Sequence, residues 1–249
     1  MLTKDEAICL RTVDYSETSQ IVTLFGKRAG KISAIAKGAK RSNSPFDGPI
    51  EMLSHGKVLF TAANKDKLAT LTEFEQRPAL GGLRRNLFAL NHALFAAELV
   101  NSLTDEHDPH PLLYDRLLEY LHDINELGPK ASASDLLPLL ILFQLALLGQ
   151  VGLQPVVNRC ANCRKQYDGT WRETHFSSLA NGLLCRDCEG AFPEKVRLTA
   201  PTARSLADWK SLSTAEESTL YNVERLLVRH FTELLHRPPK MAKQILRIP

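Results

Sequence analysis

Residues 18–46, TSQIVTLFGKRAGKISAIAKGAKRSNSPF, have the pattern of two β-strands joined by a short turn. The run QIVTLF (20–25) is β-branched and apolar, and KISAIA (31–36) places two isoleucines among small residues. Between them, GKRAG (26–30) has a turn glycine at each end. Short β-branched runs bounded by turn residues are typical of strands, so this stretch predicts a β-hairpin followed by a basic loop over 37–43.

The same stretch is strongly positive in an otherwise balanced protein. It has six basic residues and no acidic one, whereas the whole 249-residue chain has a net charge of +3. A positive strand surface favours binding to a polyanion, so the predicted nucleic-acid contacts are Lys27, Arg28, Lys31, Lys37, Lys40 and Arg41. The alternative is a solvated edge whose lysines only deter aggregation, and charge alone does not decide between the two.

Residues 26–33, GKRAGKIS, partly match a phosphate-binding P-loop, which would indicate a nucleotide-dependent enzyme. That motif needs four residues between its glycines and a Ser or Thr after the lysine. Here three residues separate the glycines and Ile32 follows Lys31, so the hydroxyl group that would hold magnesium is missing. No GxSxG or HExxH motif occurs elsewhere in the sequence, and we therefore expect a protein that is not an enzyme.

The N-terminal part of the chain is rich in strand patterns. Besides the hairpin, strands are predicted over 7–13, within 50–62 and over 68–74, with a turn at 63–66. Five short strands without a strong helix predict a small barrel, and its open face would suit single-stranded nucleic acid if it is an OB-fold. The strand count alone does not separate an OB-fold from an SH3-like barrel.

The pattern becomes helical after residues 78–82. We therefore predict an α+β protein, with a five-stranded OB-like barrel over 1–78 and a helical domain over 79–249. Apolar stripes predict helices over about 83–97 and 111–127 and a third helix capped by Asp135. A last helix is predicted to follow Ser213, with Glu216 completing a capping box. The third helix is apolar nearly all round and is expected at the centre of a bundle.

No targeting pattern is visible in the sequence. The first residues are polar, and no apolar run reaches the roughly 20 residues that cross a bilayer. A cytoplasmic protein without membrane contact is therefore expected.

Two Cys-x-x-Cys pairs lie in the second half of the chain. Cys160 and Cys163 are separated from Cys185 and Cys188 by a 21-residue insert. Each pair can direct two thiolates at one ion about 2.3 Å away, so we predict one zinc ion in an insertion over about 158–192. Four protein ligands leave no site for substrate, which makes the metal structural.

The cysteine motif leaves two alternatives open. The pairs could hold an iron–sulfur cluster, or His175 could replace one of the cysteines. Three aromatic residues of the insert, Tyr167, Trp171 and Phe176, are expected to pack the hairpin, with base stacking as the other interpretation.

Several blocks of sequence, taken in order, resemble the RecO family of bacterial DNA repair and recombination mediators. They are LRTVDYSETSQIVTL (10–24), GKISAIAKGAKRS (30–42), LLGQVGLQP (147–155) running into CANC (160–163), and GLLC (182–185). The resemblance covers nearly the whole chain. The family usually has glycine after its first cysteine pair, where this chain has Arg164.

The resemblance implies an N-terminal OB domain and a helical C-terminal domain that contains the zinc module. It implies binding to single- and double-stranded DNA, annealing of complementary strands, and association with the nucleoid. With RecR, and sometimes RecF, such a protein helps RecA replace single-strand binding protein (SSB) without consuming nucleotide. Some members lack the cysteines, so zinc is not central to the activity.

The helical domain is also expected to offer a groove for the acidic tail of SSB. Such a groove needs a basic residue beside an apolar pocket, and the candidates are Arg84, Arg85 and Arg116. Without the family resemblance, an RNA- or ribosome-associated zinc protein would fit the same features.

Overall fold

A computed structural model describes residues 2–46, 48–61, 68–77 and 80–246. Its N-terminal strands close into a barrel: β1 (Leu2–Asp14), β2 (Gln20–Gly26), β3 (Gly30–Ala36), β4 (His55–Thr61) and β5 (Ala69–Gln76). The order around the barrel is β1-β2-β3-β5-β4, and every pair is antiparallel except β3 with β5. The predicted five-stranded, OB-like barrel is confirmed.

The barrel follows from alternation of small and apolar residues along its strands. In β3, Ile32, Ala34 and Ala36 are buried while the residues between them are half-buried. Opposite them, Val22 and Leu24 of β2 point into the same core. Alternate side chains of a strand lie on opposite faces, so one face of the hairpin fills the barrel and the other remains outside.

The fourth strand predicted within 50–62 is present as β4, and it occupies only part of that range. Residues 50–54 form a turn rather than a strand, because the Ser54 amide donates to Glu51 O and Leu53 has a φ of 69°. A positive φ removes Leu53 from the β-region, and β4 begins only at His55. The predicted turn at 63–66 lies outside the described residues.

One compact unit comprises residues 1–130 and combines the barrel with α1 (Gly81–Arg84), α2 (Leu87–Leu103) and α3 (Pro111–Glu126). The apolar stripe predicted as a single helix from residue 83 is interrupted. Asn86 accepts hydrogen bonds from the Phe88 and Ala89 amides and so begins a new helix as its N-cap. The predicted domain boundary between residues 78 and 79 lies outside the described residues.

The second unit comprises residues 131–249. It contains α4 (Ala133–Gln150), α5 (Ala200–Ala207), α6 (Glu217–Leu235) and α7 (Ala242–Leu246). Between α4 and α5 lies a small antiparallel sheet of β6 (Thr174–Ser177), β7 (Gly182–Cys185) and β8 (Val196–Leu198), in the order β7-β6-β8. Two 3-10 turns occur at Glu189–Ala191 and Trp209–Thr214.

The two predicted helix caps in this unit need correction. Helix α4 is capped by Ser132, and Asp135 is the third helical residue, whose carboxylate returns to the Ser132 amide at 2.8 Å to complete a capping box. Ser213 belongs to the 3-10 turn, where its hydroxyl donates to Lys210 O, and Glu216 is the N-cap of α6.

Helix α4 is long and apolar enough to cross a bilayer by length and composition, but 61% of its apolar window is buried inside the protein. It packs against α6, where the Gln144 amide donates to Glu224 at 2.9 Å. Burial raises the pKa of the Glu224 carboxyl to about 7, although this hydrogen bond opposes the rise. These contacts support the prediction of a helix at the centre of a bundle.

Candidate nucleic-acid interface and metal centre

The β2–β3 hairpin separates the six predicted basic contacts. Gly26 pairs with Gly30 at the end that carries the turn, and Gln20 pairs with Ala36 at the other end. Seven-residue strands place these ends about 20 Å apart. The basic residues therefore form three groups: Lys27 and Arg28 in the turn, Lys31 within β3, and Lys37, Lys40 and Arg41 in the loop that follows.

The turn end is partly neutralised by acidic residues from elsewhere in the chain. The buried Asp5 carboxylate accepts the backbone N–H groups of Arg28 and Ala29 at 2.9 and 2.8 Å. Lys27 Nζ lies 2.8 Å from Asp115 and 5.9 Å from the centre of the Tyr114 ring. The turn amides that a P-loop would direct at phosphate are thus occupied, although the Arg28 side chain itself is 83% exposed.

Lys31 has a structural role. Its ammonium group donates to the Asn101 and Thr104 carbonyl oxygens at the end of α2, the former at 2.7 Å. Burial lowers the Lys31 pKa, and the nearby Glu106 and Asp105 carboxylates oppose this effect. A cation at a helix C-terminus satisfies carbonyls that lack intrahelical partners, so Lys31 already has partners within the fold and we do not propose it as a phosphate contact.

The basic loop, residues 37–43, retains free positive charge. Lys37 and Arg41 are exposed, and Lys40 is paired with Asp14 at 2.8 Å while its side chain remains 27% exposed. The Lys40 amide donates to Thr18 O at 3.0 Å. The loop is therefore fixed against the β1–β2 turn, residues 15–19, and presents its cations from an ordered backbone.

Tyr15 is a surface residue that the sequence interpretation did not include. It follows β1 directly and is 63% exposed. Its sequence signal is a lone aromatic residue inside the polar run DYSETS (14–19). Single exposed apolar residues are ordinary on protein surfaces, so Tyr15 is of interest because of the basic loop beside it.

The four predicted cysteine ligands converge on one point. Their sulfur atoms all lie within 4.8 Å of one another, and Cys163 Sγ is 3.7 Å from Cys185 Sγ. A tetrahedral ion with metal–sulfur distances of about 2.3 Å requires sulfur–sulfur separations of about 3.8 Å. Within the described parts of the chain, this is the one cluster of three or more metal-ligating side chains, and His175 is not a member.

Two tight turns position these ligands. In the first turn the Arg164 amide donates to Cys160 O at 3.0 Å, and in the second the Cys188 amide donates to Cys185 O at 3.0 Å. The Ala161 amide donates to Leu183 O at 2.7 Å, which joins the first turn to β7. Arg164 has a φ of 66°, a left-handed conformation that glycine adopts without strain. The arginine therefore strains this turn without displacing the cysteine ligands.

The cluster also favours thiolate at one ligand. Burial raises the pKa of Cys160, but N–H groups of Cys185, Cys163 and Asn162 outweigh it and lower that pKa to about 7. Burial, together with hydrogen bonding to neighbouring thiols, raises the pKa of Cys185 to about 12. A bound cation would favour the ionised form of each ligand, so the four thiols could hold a metal ion.

The aromatic residues of the insert have packing roles. Trp171 packs against the cysteine cluster and contacts Tyr167 edge-to-face, with ring centres 5.2 Å apart. Phe176 is 2% exposed and packs edge-to-face on His230. The prediction that these rings pack the hairpin is confirmed for Trp171 and Phe176.

Comparison with known proteins places the chain in a family. The profile described as Recombination protein O N terminal matches residues 1–77, and that described as Recombination protein O C terminal matches residues 84–242. The chain belongs to the RecO family. Its OB-like barrel and its cysteine cluster lie within these two matched segments.

Relatives named DNA repair protein RecO are similar over most of their length. That of Bacillus subtilis is 37% identical over 206 residues, covering 83% of this chain and 76% of the relative. That of Rhodopirellula baltica is 35% identical over 211 residues, covering 85% and 73%. That of Alkaliphilus metalliredigens is 30% identical over 236 residues, covering 94% and 91%. This RecO-family protein is therefore similar to DNA repair proteins from several bacteria.

Proposed function

We propose that this RecO-family protein is a non-enzymatic mediator of DNA repair and recombination. It binds single- and double-stranded DNA, anneals complementary strands and, with RecR and in some cases RecF, helps load RecA onto SSB-coated DNA. Such a protein would associate with the nucleoid. The observation that carries the proposal is the exposed Lys37 and Arg41 on a basic loop held by backbone hydrogen bonds.

The basic loop supplies a physical route to annealing. Lysine and arginine contacts to phosphate carry no base code, so the binding they support is tolerant of sequence. Two complementary strands repel each other through their phosphates. Cations that neutralise some of those phosphates lower the repulsion and hold the strands close enough to pair.

We propose zinc as the metal of the four-cysteine cluster, with a structural role. The support is the set of four convergent sulfurs, which fills a tetrahedral site and leaves no open position. Elemental analysis of the purified protein should find one zinc ion per chain, and iron in its place would contradict the assignment. Chelation should lower the thermal stability of residues 131–249, measured by circular dichroism, while the barrel remains folded.

An apolar groove in residues 1–130 supports a docking site for the acidic tail of SSB. A cavity of about 370 Å³ is lined by Leu80, Leu83, Leu90 and Leu94 together with Arg77 and Arg84. Arg84 is the one among the three candidate arginines that lines it, where its guanidinium is paired with Glu51, another lining residue, and Arg116 is paired with Glu119. We expect Arg84→Ala to weaken capture of SSB and Arg116→Ala to leave it unchanged.

The test of the proposed function is the annealing of complementary oligonucleotides precoated with SSB. We expect the protein to accelerate duplex formation without added nucleotide. The Lys37→Glu, Arg41→Glu double variant should lose most of this acceleration while keeping its circular dichroism spectrum. An annealing rate that is the same with and without the wild-type protein would overturn the proposal. Preferential binding to structured RNA would favour the RNA-associated alternative.

A further inference from the structure

We propose that Tyr15 stacks on an unpaired base and gives the protein a preference for single-stranded over duplex DNA. The inference rests on the proposed function, because Tyr15 lies beside the basic loop that is assigned to phosphate binding. It adds a contact of a different kind, made to a base rather than to the backbone of the nucleic acid.

The turn that carries Tyr15 is ordered by its own hydrogen bonds. The Tyr15 amide donates to Ser19 O at 3.0 Å, and Ser16 Oγ accepts the Ser19 amide at 3.1 Å. The ring nevertheless remains 63% exposed. An aromatic side chain on a fixed backbone loses little conformational entropy on binding, so the turn is suited to a stacking contact.

The basic loop directly adjoins this turn. The Lys40 amide donates to Thr18 O at 3.0 Å, and the Gly38 amide donates to Ser19 Oγ at 3.3 Å. Lys40 Nζ lies 2.8 Å from the carboxylate of Asp14, the residue that precedes Tyr15. The acidic residues of this turn region are Asp14 and Glu17, and Asp14 is engaged by Lys40. A strand whose phosphates contact the loop would pass beside the turn that carries Tyr15, and this is where the stacking contact is proposed.

The outer face of the barrel next to Tyr15 is apolar. Val13, Ile21 and Ile35 are direct partners across β1, β2 and β3, so they form one row. Val13 is 43% exposed, and the two isoleucines are half-buried. The neighbouring residues Val22 and Ala34 are buried in the core, which places the row on the outside of the barrel.

Stacking distinguishes the two forms of DNA. Every unpaired base offers a flat face to an aromatic ring, whatever its identity, and such a contact adds to binding by phosphate neutralisation. In a duplex the same faces are covered by neighbouring base pairs, and a protein reaches mainly phosphates and groove edges. A ring beside a phosphate-binding loop therefore favours the single strand.

The test compares Tyr15→Ala and Tyr15→Phe with the wild-type protein. The probes are an oligothymidine of about 16 nucleotides, near the upper site size of one OB-fold, and a blunt duplex of mixed sequence. We expect Tyr15→Ala to weaken oligothymidine binding about tenfold and duplex binding by less than about twofold. Tyr15→Phe should restore single-strand affinity, because the phenyl ring keeps the stacking surface.

Leu112→Ala is the matched control, because Leu112 is also 63% exposed and lies on α3. It should leave both affinities unchanged. A second measurement uses 5-iodouracil in the oligothymidine, with photo-crosslinking followed by mass spectrometry of the modified peptide. We expect the crosslink at Tyr15.

Equal loss of single-strand and duplex affinity in Tyr15→Ala, or no loss of either, would overturn the stacking role while leaving the proposed function standing. A wild-type protein that bound neither probe would instead overturn the proposed function. A crosslink confined to residues outside 13–21 would also contradict the inference.

Discussion

The two ends of the β2–β3 hairpin are similar in sequence but differ in the surface that they present. Both carry two or more basic residues and no acidic residue within the hairpin itself. At the turn, Asp5 occupies the backbone amides and Asp115 pairs with Lys27. At the basic loop, Asp14 pairs with Lys40 while Lys37 and Arg41 remain exposed.

This difference shows that positive charge in a sequence segment is not the same as positive surface. The acidic residues that pair with the turn come from β1 and α3, and Asp115 of α3 lies 88 residues from Lys27 in the sequence. An ion pair that is already formed must be broken before phosphate can bind, whereas an exposed cation exchanges only water and counterions. The loop end presents two exposed cations, Lys37 and Arg41, against one at the turn, Arg28, so we propose the loop end as the better DNA-binding surface.

The largest expected effect is charge reversal at the loop end. Lys37→Glu with Arg41→Glu should weaken binding to single-stranded DNA by about tenfold or more, because two phosphate contacts become repulsive. Fluorescence anisotropy at fixed salt measures the affinity. The comparison change at the other end is Arg28→Glu, which reverses one charge whose Nε lies 4.0 Å from the buried Asp5 carboxylate, and it should change affinity by less than about twofold. An equal loss in both proteins would erase the distinction between the two ends.

A substitution at the turn end should lower the stability of the protein and leave its DNA affinity unchanged. Asp5→Ala leaves the Arg28 and Ala29 amides without their acceptor, and an unsatisfied buried group costs about 1–3 kcal/mol. We expect the free energy of unfolding to fall by about 2 kcal/mol in urea denaturation, with DNA affinity unchanged in native buffer. A marked gain in affinity would mean that the turn, once freed of Asp5, is also a phosphate site.

The smallest effect should come from the ion pair at the loop end. Asp14→Asn removes the partner of Lys40 and one negative charge, and exposed pairs are worth about 0.2–1 kcal/mol. We expect affinity for single-stranded DNA to rise about twofold at low salt and the gain to vanish at high salt. A decrease in affinity would show instead that Asp14 is needed to position Lys40.

Local patterns in the sequence were sufficient for the barrel strands and for the metal ligands. Strand alternation and Cys-x-x-Cys spacing are both determined by residues close together in the chain. The pairing of Gly26 with Gly30 was implied by the predicted hairpin, so the separation of Lys27 from Lys37 could have been anticipated.

Other features depend on residues that are distant in the chain and could not be predicted from local sequence patterns. The role of Lys31 requires the carbonyl groups of Asn101 and Thr104, which are brought to β3 only by the packing of α2. The N-cap of α4 was misplaced because Ser132 and Asp135 are both good capping residues, and the capping box uses both.

The most direct test of the central claim is the salt dependence of binding to single-stranded DNA, because its slope counts phosphate contacts. With Lys37, Lys40 and Arg41 as the contacts, log affinity against log salt should fall with a slope of roughly −2. Lys37→Ala with Arg41→Ala should make the slope shallower by about 1.4, and Arg28→Ala should leave it unchanged. A slope altered by Arg28→Ala but not by the loop substitutions would contradict the account.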